Sequence, residues 1–151
     1  MNVKINDELW MGIAMQLATA STCRVQVGCV LVQDNEYIAG GYVGSVSGDE
    51  HCQDVECLLV NNHGTKGSSA SGKSCIRTVH AEMNAVLRCK VRGTNYSPIV
   101  AYCTHQPCLE CTKALLSIGV KRIVYHSEYR DVHRDIFLAH FVGYKLRVEQ
   151  H

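Results

Sequence analysis

Two short motifs constrain this chain more than anything else in it. His80-Ala81-Glu82 opens a segment, HAEMNAVLRCKV, that reads as a helix. Pro107-Cys108-Leu109-Glu110-Cys111 opens a second, CLECTKALLSIG, after 24 intervening residues. A histidine, a glutamate and an asparagine on one otherwise apolar segment need a physical reason. Two thiolates and one imidazole are three ligands for a tetrahedral Zn²⁺. Helix N-termini favour the thiolate form of Cys108 and Cys111, and Pro107 suits the entry to a helix. The fourth position stays open for water, whose pKa the metal lowers toward about 7. Glu82, two residues beyond a ligand, is placed to shuttle a proton rather than to bind the metal. A closed structural site would instead need Cys103 or His105 as a fourth ligand and would leave Glu82 at the surface. A redox Cys-x-x-Cys pair would leave His80 and Glu82 unexplained.

The chain carries nine cysteines in 151 residues, and the odd count argues against full disulfide pairing. MNVKINDELW lacks the apolar stretch of an export signal, and no apolar run approaches a bilayer span. The expected location is therefore the reducing cytoplasm, where cysteines serve as metal ligands, reactive thiols or small buried hydrophobes. Cys23, Cys52, Cys57 and Cys75 fall outside the first motif pair and could close a second, structural zinc site, with His51 or His63 as substitutes. Cys29, Cys89 and Cys103 fit buried positions. A net charge of +1 without a basic run gives no electrostatic reason for a nucleic-acid or membrane partner.

One α/β domain over residues 1–151 is expected. NDELWMGIAMQLATAS reads as a helix capped by Asn6, with Leu9, Ile13 and Leu17 as its core stripe widened by Trp10 and Ala14. VQVGCVLVQDNEYIAGGYV reads as two strands around a tight turn at Asp34-Asn35. Residues 44 to 79 are rich in Gly and Ser, and a loop of that length is improbable unless it binds something or is pinned. SPIVAYC and KRIVYH read as strands, CLECTKALLSIG as a helix closed by Gly119, VHRDIFLAHFVG as a helix closed by Gly143, and YKLRVEQ as a last strand. The alternation implies a sheet covered by helices, with parallel crossovers in its second half.

At STCRVQVGCVLV, GGYVGSVSGDEHCQDVECLLV, CIRTVHAEMNAVLRC and THQPCLECTKALLSIGVKRIVYHSEYR, the sequence resembles the deoxycytidylate (dCMP) deaminase family of the cytidine deaminase-like superfamily. The zinc motif is shared by zinc-dependent nucleobase deaminases generally; the long loop and the CIRTVHAEMNA run narrow it to the nucleotide enzymes. The resemblance implies a three-layer α/β/α fold with a five-stranded mixed sheet. It implies hydrolysis of dCMP to dUMP for thymidylate synthesis, with Glu82 carrying protons from water to the ring nitrogen and the departing ammonia. It also implies a homohexamer activated by dCTP and inhibited by dTTP, with Mg²⁺ accompanying the triphosphate, and a second structural zinc in many microbial and phage members.

For substrate contacts the resemblance points to Arg24 and to the Tyr129-Arg130 pair, and Asn84 shares the helix face of His80. Two departures stand out. The family's Gly-Tyr-Asn-Gly reads Gly41-Tyr42-Val43-Gly44, and a valine side chain accepts no hydrogen bond from a sugar. Cys23 and Arg24 are adjacent where relatives carry an extra residue between them. Other readings are a deaminase acting on dCTP, cytidine or a modified nucleotide, a polynucleotide editor, or a non-catalytic zinc-stabilised nucleotide-binding module. The editor lacks a basic groove or aromatic platform, and the binding module has no use for Glu82.

Overall fold

The computed structural model describes residues 6–62, 66–67 and 72–151. Its centre is a five-stranded mixed sheet made of β1 (Gly28–Gln33), β2 (Glu36–Tyr42), β3 (Ile99–His105), β4 (Val120–Ser127) and β5 (Arg147–Gln150), in the order β5-β4-β3-β1-β2. β1 pairs antiparallel with β2 and β3, whereas β3/β4 and β4/β5 are parallel. The β1–β2 hairpin closes at Asp34 and Asn35, both at positive φ (51° and 60°). That conformation matches the strand twist, and Asp and Asn tolerate it better than most side chains.

Strand alternation divides the core between the two faces of the sheet. Val30, Val32, Tyr102 and Val124 point to one side, under Trp10, Met11 and Ala14 of helix α1 (Asp7–Ala18). Cys29, Leu31, Ala101, Cys103 and Ile123 point to the other. There they meet Ala81 and Ala85 of α3 (Ala81–Arg88) and Leu115 of α4 (Leu109–Ser117). Helix, sheet and helix thus form the three layers implied by the sequence. A one-turn α2 (Cys52–Val55) and a final α5 (Val132–His140), which packs beside α4, complete the helices.

Helix α1 buries Trp10 and Ala14 of the expected stripe and packs Ile13 and Leu17 partly against the core, but turns Leu9 outward. Its Asn6 side chain does cap the helix, accepting from Leu9 N at 3.0 Å. The buried positions, however, are Trp10, Met11, Ala14 and Ala18, while Leu9 is 49% exposed. The large indole and the small alanines let the helix lie close to the sheet, which turns Leu9 outward. Arg122 at the start of β4 fixes the helix end: it donates to both Asp7 oxygens at 2.8 and 2.7 Å and to Glu149 at 2.8 Å. Tyr102 donates its hydroxyl to Asp7 at 2.7 Å.

Two glycines are required by the packing. A side chain at Gly41 on β2 would lie 2.5 Å from the Ala81 carbonyl, so its absence lets α3 settle on the sheet edge. Gly119 follows α4 at φ +95°, the left-handed residue that ends it. Gly143 does not play that part for α5. The helix stops at His140, with Phe141 already extended, and the Phe137–Phe141–Tyr144 aromatic chain packs the turn that follows.

Residues 44 to 79 are held by short pairings among their described parts. Gly44–Ser45 pairs with Thr78–Val79, Leu59–Asn61 with Lys73–Cys75, and Lys66–Gly67 with Arg130–Asp131. His63 lies outside the described residues.

Candidate active site

The chain leaves β3 at His105, passes Gln106 and Pro107, and turns into α4 at its N-cap residue, Cys108. His80 is the N-cap residue of α3. The two helix starts meet. His80 Nδ1 lies 3.5 Å from Cys108 Sγ and 3.4 Å from Cys111 Sγ, and the three donor atoms all fall within 4.8 Å of one another. Tetrahedral bonds of about 2.1 Å to nitrogen and 2.3 Å to sulfur put such donors about 3.6 Å apart. The spacing and the donor set therefore fit one Zn²⁺. Neither Cys103 nor His105 joins the group among the described residues; Cys103 Sγ faces Cys29 Sγ at 3.7 Å, and His105 Nδ1 lies 3.3 Å from Thr104 Oγ1.

Cys108 and Cys111 are buried, Glu82 is 4% exposed, and His80 is open to solvent. Burial pushes the Glu82 carboxyl above its ordinary range, with the neighbouring His80 acting against it. The hydrogen bond between the two thiols pushes Cys108 down and Cys111 up. Tyr129 borders the same site. Its phenol is pushed up to about 12, first by burial and then by the negative charge of Cys108 and Asp131.

Two residues that the motifs do not announce hold this arrangement. Asp131, fully buried at the N-cap of α5, accepts from Arg134 N at 3.1 Å with one oxygen and from Leu109 N at 2.8 Å with the other. One carboxylate thus caps both α5 and the helix that carries the thiols. Arg134, 4% exposed, donates to the carbonyls of Pro107 (3.0 Å) and Tyr129 (2.7 Å). An Asp directly before an amphipathic helix was the available signal for the first. Nothing local in the sequence marks the second.

The expected substrate contacts are spread out. Tyr129 is beside the thiols. Asn84 donates from Nδ2 to the Tyr42 carbonyl at 2.9 Å and so holds the end of β2. Arg24 is exposed and reaches the Lys73 carbonyl at 3.5 Å, and Arg130 is exposed. Val43, where the resemblance led to the expectation of asparagine, is buried in the core cluster with Cys52 and Ala81 and serves as packing.

The second set of cysteines also comes together. The sulfurs of Cys23, Cys52, Cys57 and Cys75 all lie within 4.8 Å of one another. Cys23–Cys57 and Cys52–Cys75 are each 3.8 Å apart. That is the edge of a sulfur tetrahedron with bonds of about 2.3 Å and far beyond a disulfide. Burial pushes the Cys52 thiol up to about 12. At Cys75 burial acts the same way but is outweighed by the N–H of Arg77, the Cys52 thiol and the N–H of Leu58, which bring it down to about 7. His51 stays outside the group, with Nδ1 3.2 Å from Thr22 Oγ1.

Residues 4–127 match the family model for the cytidine and deoxycytidylate deaminase zinc-binding region. The chain belongs to this family. Its similarity to ComE operon protein 2 of Bacillus subtilis is 38% identity over 125 residues, 82% of this chain. The chain spans 60% of that protein's length. It is 32% identical to the deoxycytidylate deaminase of Mycobacterium phage D29, over 81% of this chain and 94% of the phage protein. Among solved structures, the dCMP deaminase of cyanophage S-TIM5 in complex with dCMP and dUMP superposes with a TM-score of 0.71 at 26% identity, over 100% of this chain and 99% of that one. His80, Cys108 and Cys111 all fall within that matched zinc-binding region. No helix among the described residues is long and apolar enough to cross a membrane.

Proposed function

We propose that residues 1–151 form one domain that hydrolyses dCMP to dUMP and ammonia. The observation that carries this reading is Glu82: a buried carboxyl with a raised pKa, beside a three-donor zinc group that provides no fourth protein ligand among the described residues. A closed structural site has no use for such an acid. His80, Cys108 and Cys111 would hold the zinc, which when bound supplies the Lewis acidity that makes water nucleophilic near neutral pH. Glu82 accepts the proton of that water and delivers it to the cytosine ring nitrogen, then serves the departing amine in the same way. A carboxyl whose pKa is raised above its ordinary value by burial suits a group that both takes up and gives back a proton. Tyr129 bounds the site on the α5 side and keeps it partly dry.

Preference for dCMP is supported by the phage relatives bearing that name. Cys23, Cys52, Cys57 and Cys75 would hold a second, structural zinc that orders the long loop, since a metal can supply folding energy where core is lacking. All nine cysteines are free, which fits a reducing cytoplasm. Hexamer formation, activation by dCTP with Mg²⁺ and inhibition by dTTP rest on the family resemblance, as does a role in supplying dTTP precursors. The direct test follows the loss of cytosine absorbance for dCMP, dCTP, deoxycytidine and cytidine, with and without dCTP and Mg²⁺ as additives. Fastest turnover of dCMP supports the reading. A bound zinc with none of the four converted refutes it.

A further inference from the structure

The parallel strands β3, β4 and β5 start at one end of the sheet, and a cavity of about 390 Å³ opens there. That volume is in the range of small-ligand sites. Four of its lining residues are cations, Lys121, Arg122, Lys145 and Arg147, and the rest are the apolar start of β3 from Pro98 to Val100. The cations come from two separate strand starts, so no basic run marks them in the sequence. Arg147 stands in register beside Arg122 on the neighbouring strand, and like charges placed side by side repel.

Only one of the four is neutralised inside the chain. Arg122 is held by Asp7 and Glu149, each at 2.7 Å. Arg147 lies 3.8 Å from Glu149, beyond a hydrogen bond, with 57% of its side chain exposed. Lys145 is exposed and makes no hydrogen bond or ion pair with the described residues. Lys121 has partners, but neutral ones: its Nζ donates to the Asn95 amide oxygen and lies 5.2 Å from the centre of the Tyr144 ring. That ring is anchored in turn, since the Tyr144 hydroxyl donates to the carbonyls of Leu116 (3.1 Å) and Val120 (2.7 Å). Lys121 is thus oriented without being neutralised. Three uncompensated cations around one cavity call for an anion with several charges, which a chain of phosphates supplies and a single carboxylate does not.

We infer that this cavity binds a polyphosphate chain, free or carried by a nucleoside, through Lys121, Lys145 and Arg147. The site is separate from the zinc group. β3 begins at the cavity with Ile99 and ends at His105, beside Cys108, and a strand of seven residues spans about 20 Å. The inference therefore stands apart from the deamination reading. The apolar start of β3 gives a nucleoside something to lie against. Tyr96, 99% exposed, stands between Asn95, which holds Lys121, and Ser97, which leads into Pro98. Its free ring is a platform for one base. A nucleic-acid strand would need successive aromatics along a groove, and this is one cavity with one such ring.

The test titrates inorganic triphosphate into the zinc-loaded protein by calorimetry at low salt, with zinc content and melting temperature measured on the same samples. Wild type should bind one triphosphate per chain. Lys145→Ala/Arg147→Ala should bind it at least about tenfold more weakly, the effect of losing charge-assisted bonds. Lys113→Ala, which removes an exposed cation on α4 paired with Glu110 at 3.0 Å, should stay within about twofold of wild type. If the double variant melts lower, Lys145→Ala alone carries the comparison, with about threefold weaker binding expected, because that side chain has no partner to lose. No binding by wild type at millimolar triphosphate overturns the inference. So does equal binding by wild type and the double variant, which would mark chelation of the zinc or diffuse attraction, or a loss in Lys113→Ala as large as in the double variant. A second titration with ATP separates the two sources, since a purine is foreign to the cytosine chemistry proposed above. Tighter binding of ATP than of inorganic triphosphate, with the margin removed by Tyr96→Ala, identifies a nucleoside polyphosphate as the ligand. Equal binding of the two, unaffected by Tyr96→Ala, identifies the phosphate chain alone.

Discussion

Asp131 accepts the backbone N–H of Leu109 at 2.8 Å and that of Arg134 at 3.1 Å, with no part of its side chain reaching solvent. The residue that starts α5 therefore also aims the first turn of α4, where Cys108 and Cys111 sit. Asp131→Ala leaves two buried donors unpaired, at about 1–3 kcal/mol each. Together that is about 2–6 kcal/mol, which for a chain of this size lowers Tm by roughly 4–24 °C. Loosened support for metal-binding residues should also weaken zinc binding by about 10- to 100-fold. Calorimetric melting and a zinc competition titration read the two effects. A variant that melts lower yet holds zinc as tightly would separate stability from metal support.

The four-cysteine group predicts a metal count. The zinc-loaded wild type should contain two zinc ions per chain, and Cys57→Ser should contain one. Cys89→Ser should keep both, because Cys89 belongs to neither group and donates to the Val91 carbonyl at 3.3 Å. Elemental analysis after gel filtration decides it. Cys57→Ser should also be cut faster by protease within residues 44 to 79, since the loop loses its clamp. Two zinc ions in Cys57→Ser would remove Cys57 from the site.

Asp7 gives a pH dependence with a definite sign. Arg122 holds its carboxyl below the ordinary value of 3.8, partly opposed by burial and helped by the Tyr102 hydroxyl. A depressed carboxylate pKa contributes stability that is present above the unfolded-state value and lost as pH falls through the folded-state value. Asp7→Asn should therefore be less stable than wild type by about 1–2 kcal/mol at pH 7, a modest figure because the pair is partly exposed. The difference should shrink as pH drops below 3.8. Urea unfolding of both proteins across that range checks it, and a gap that widens in acid would contradict the assignment.

Much of this molecule could be read from its residues. The β1–β2 hairpin was legible because Asp34-Asn35 is a strong turn signal between apolar runs, and the strand–helix alternation after residue 98 spelled out the parallel half of the sheet. The meeting of His80, Cys108 and Cys111 was legible because their spacing suits a shared metal and little else. What escaped was whatever depends on distant partners. Helix α1 shows several apolar faces, and only its fit against Val30, Val32 and Tyr102 brings Met11 into the core and leaves Leu9 outside it. Gly143 resembled a helix stop, but α5 ends sooner, where Phe141 turns extended and meets Tyr144 edge to face. Asp131 and Arg134 act on Leu109, Pro107 and Tyr129, and no local pattern shows an interaction across 22 or 27 residues.

If Glu82 moves the proton in a zinc-assisted deamination, its amide variant must keep the metal and lose the reaction. Zinc-loaded wild type and Glu82→Gln are given dCMP side by side, with dUMP formation followed by absorbance and zinc content measured on the same samples. Both proteins should carry equal zinc, and kcat should fall by about 10²–10⁴-fold in Glu82→Gln. Equal zinc with undiminished turnover would contradict that role of Glu82.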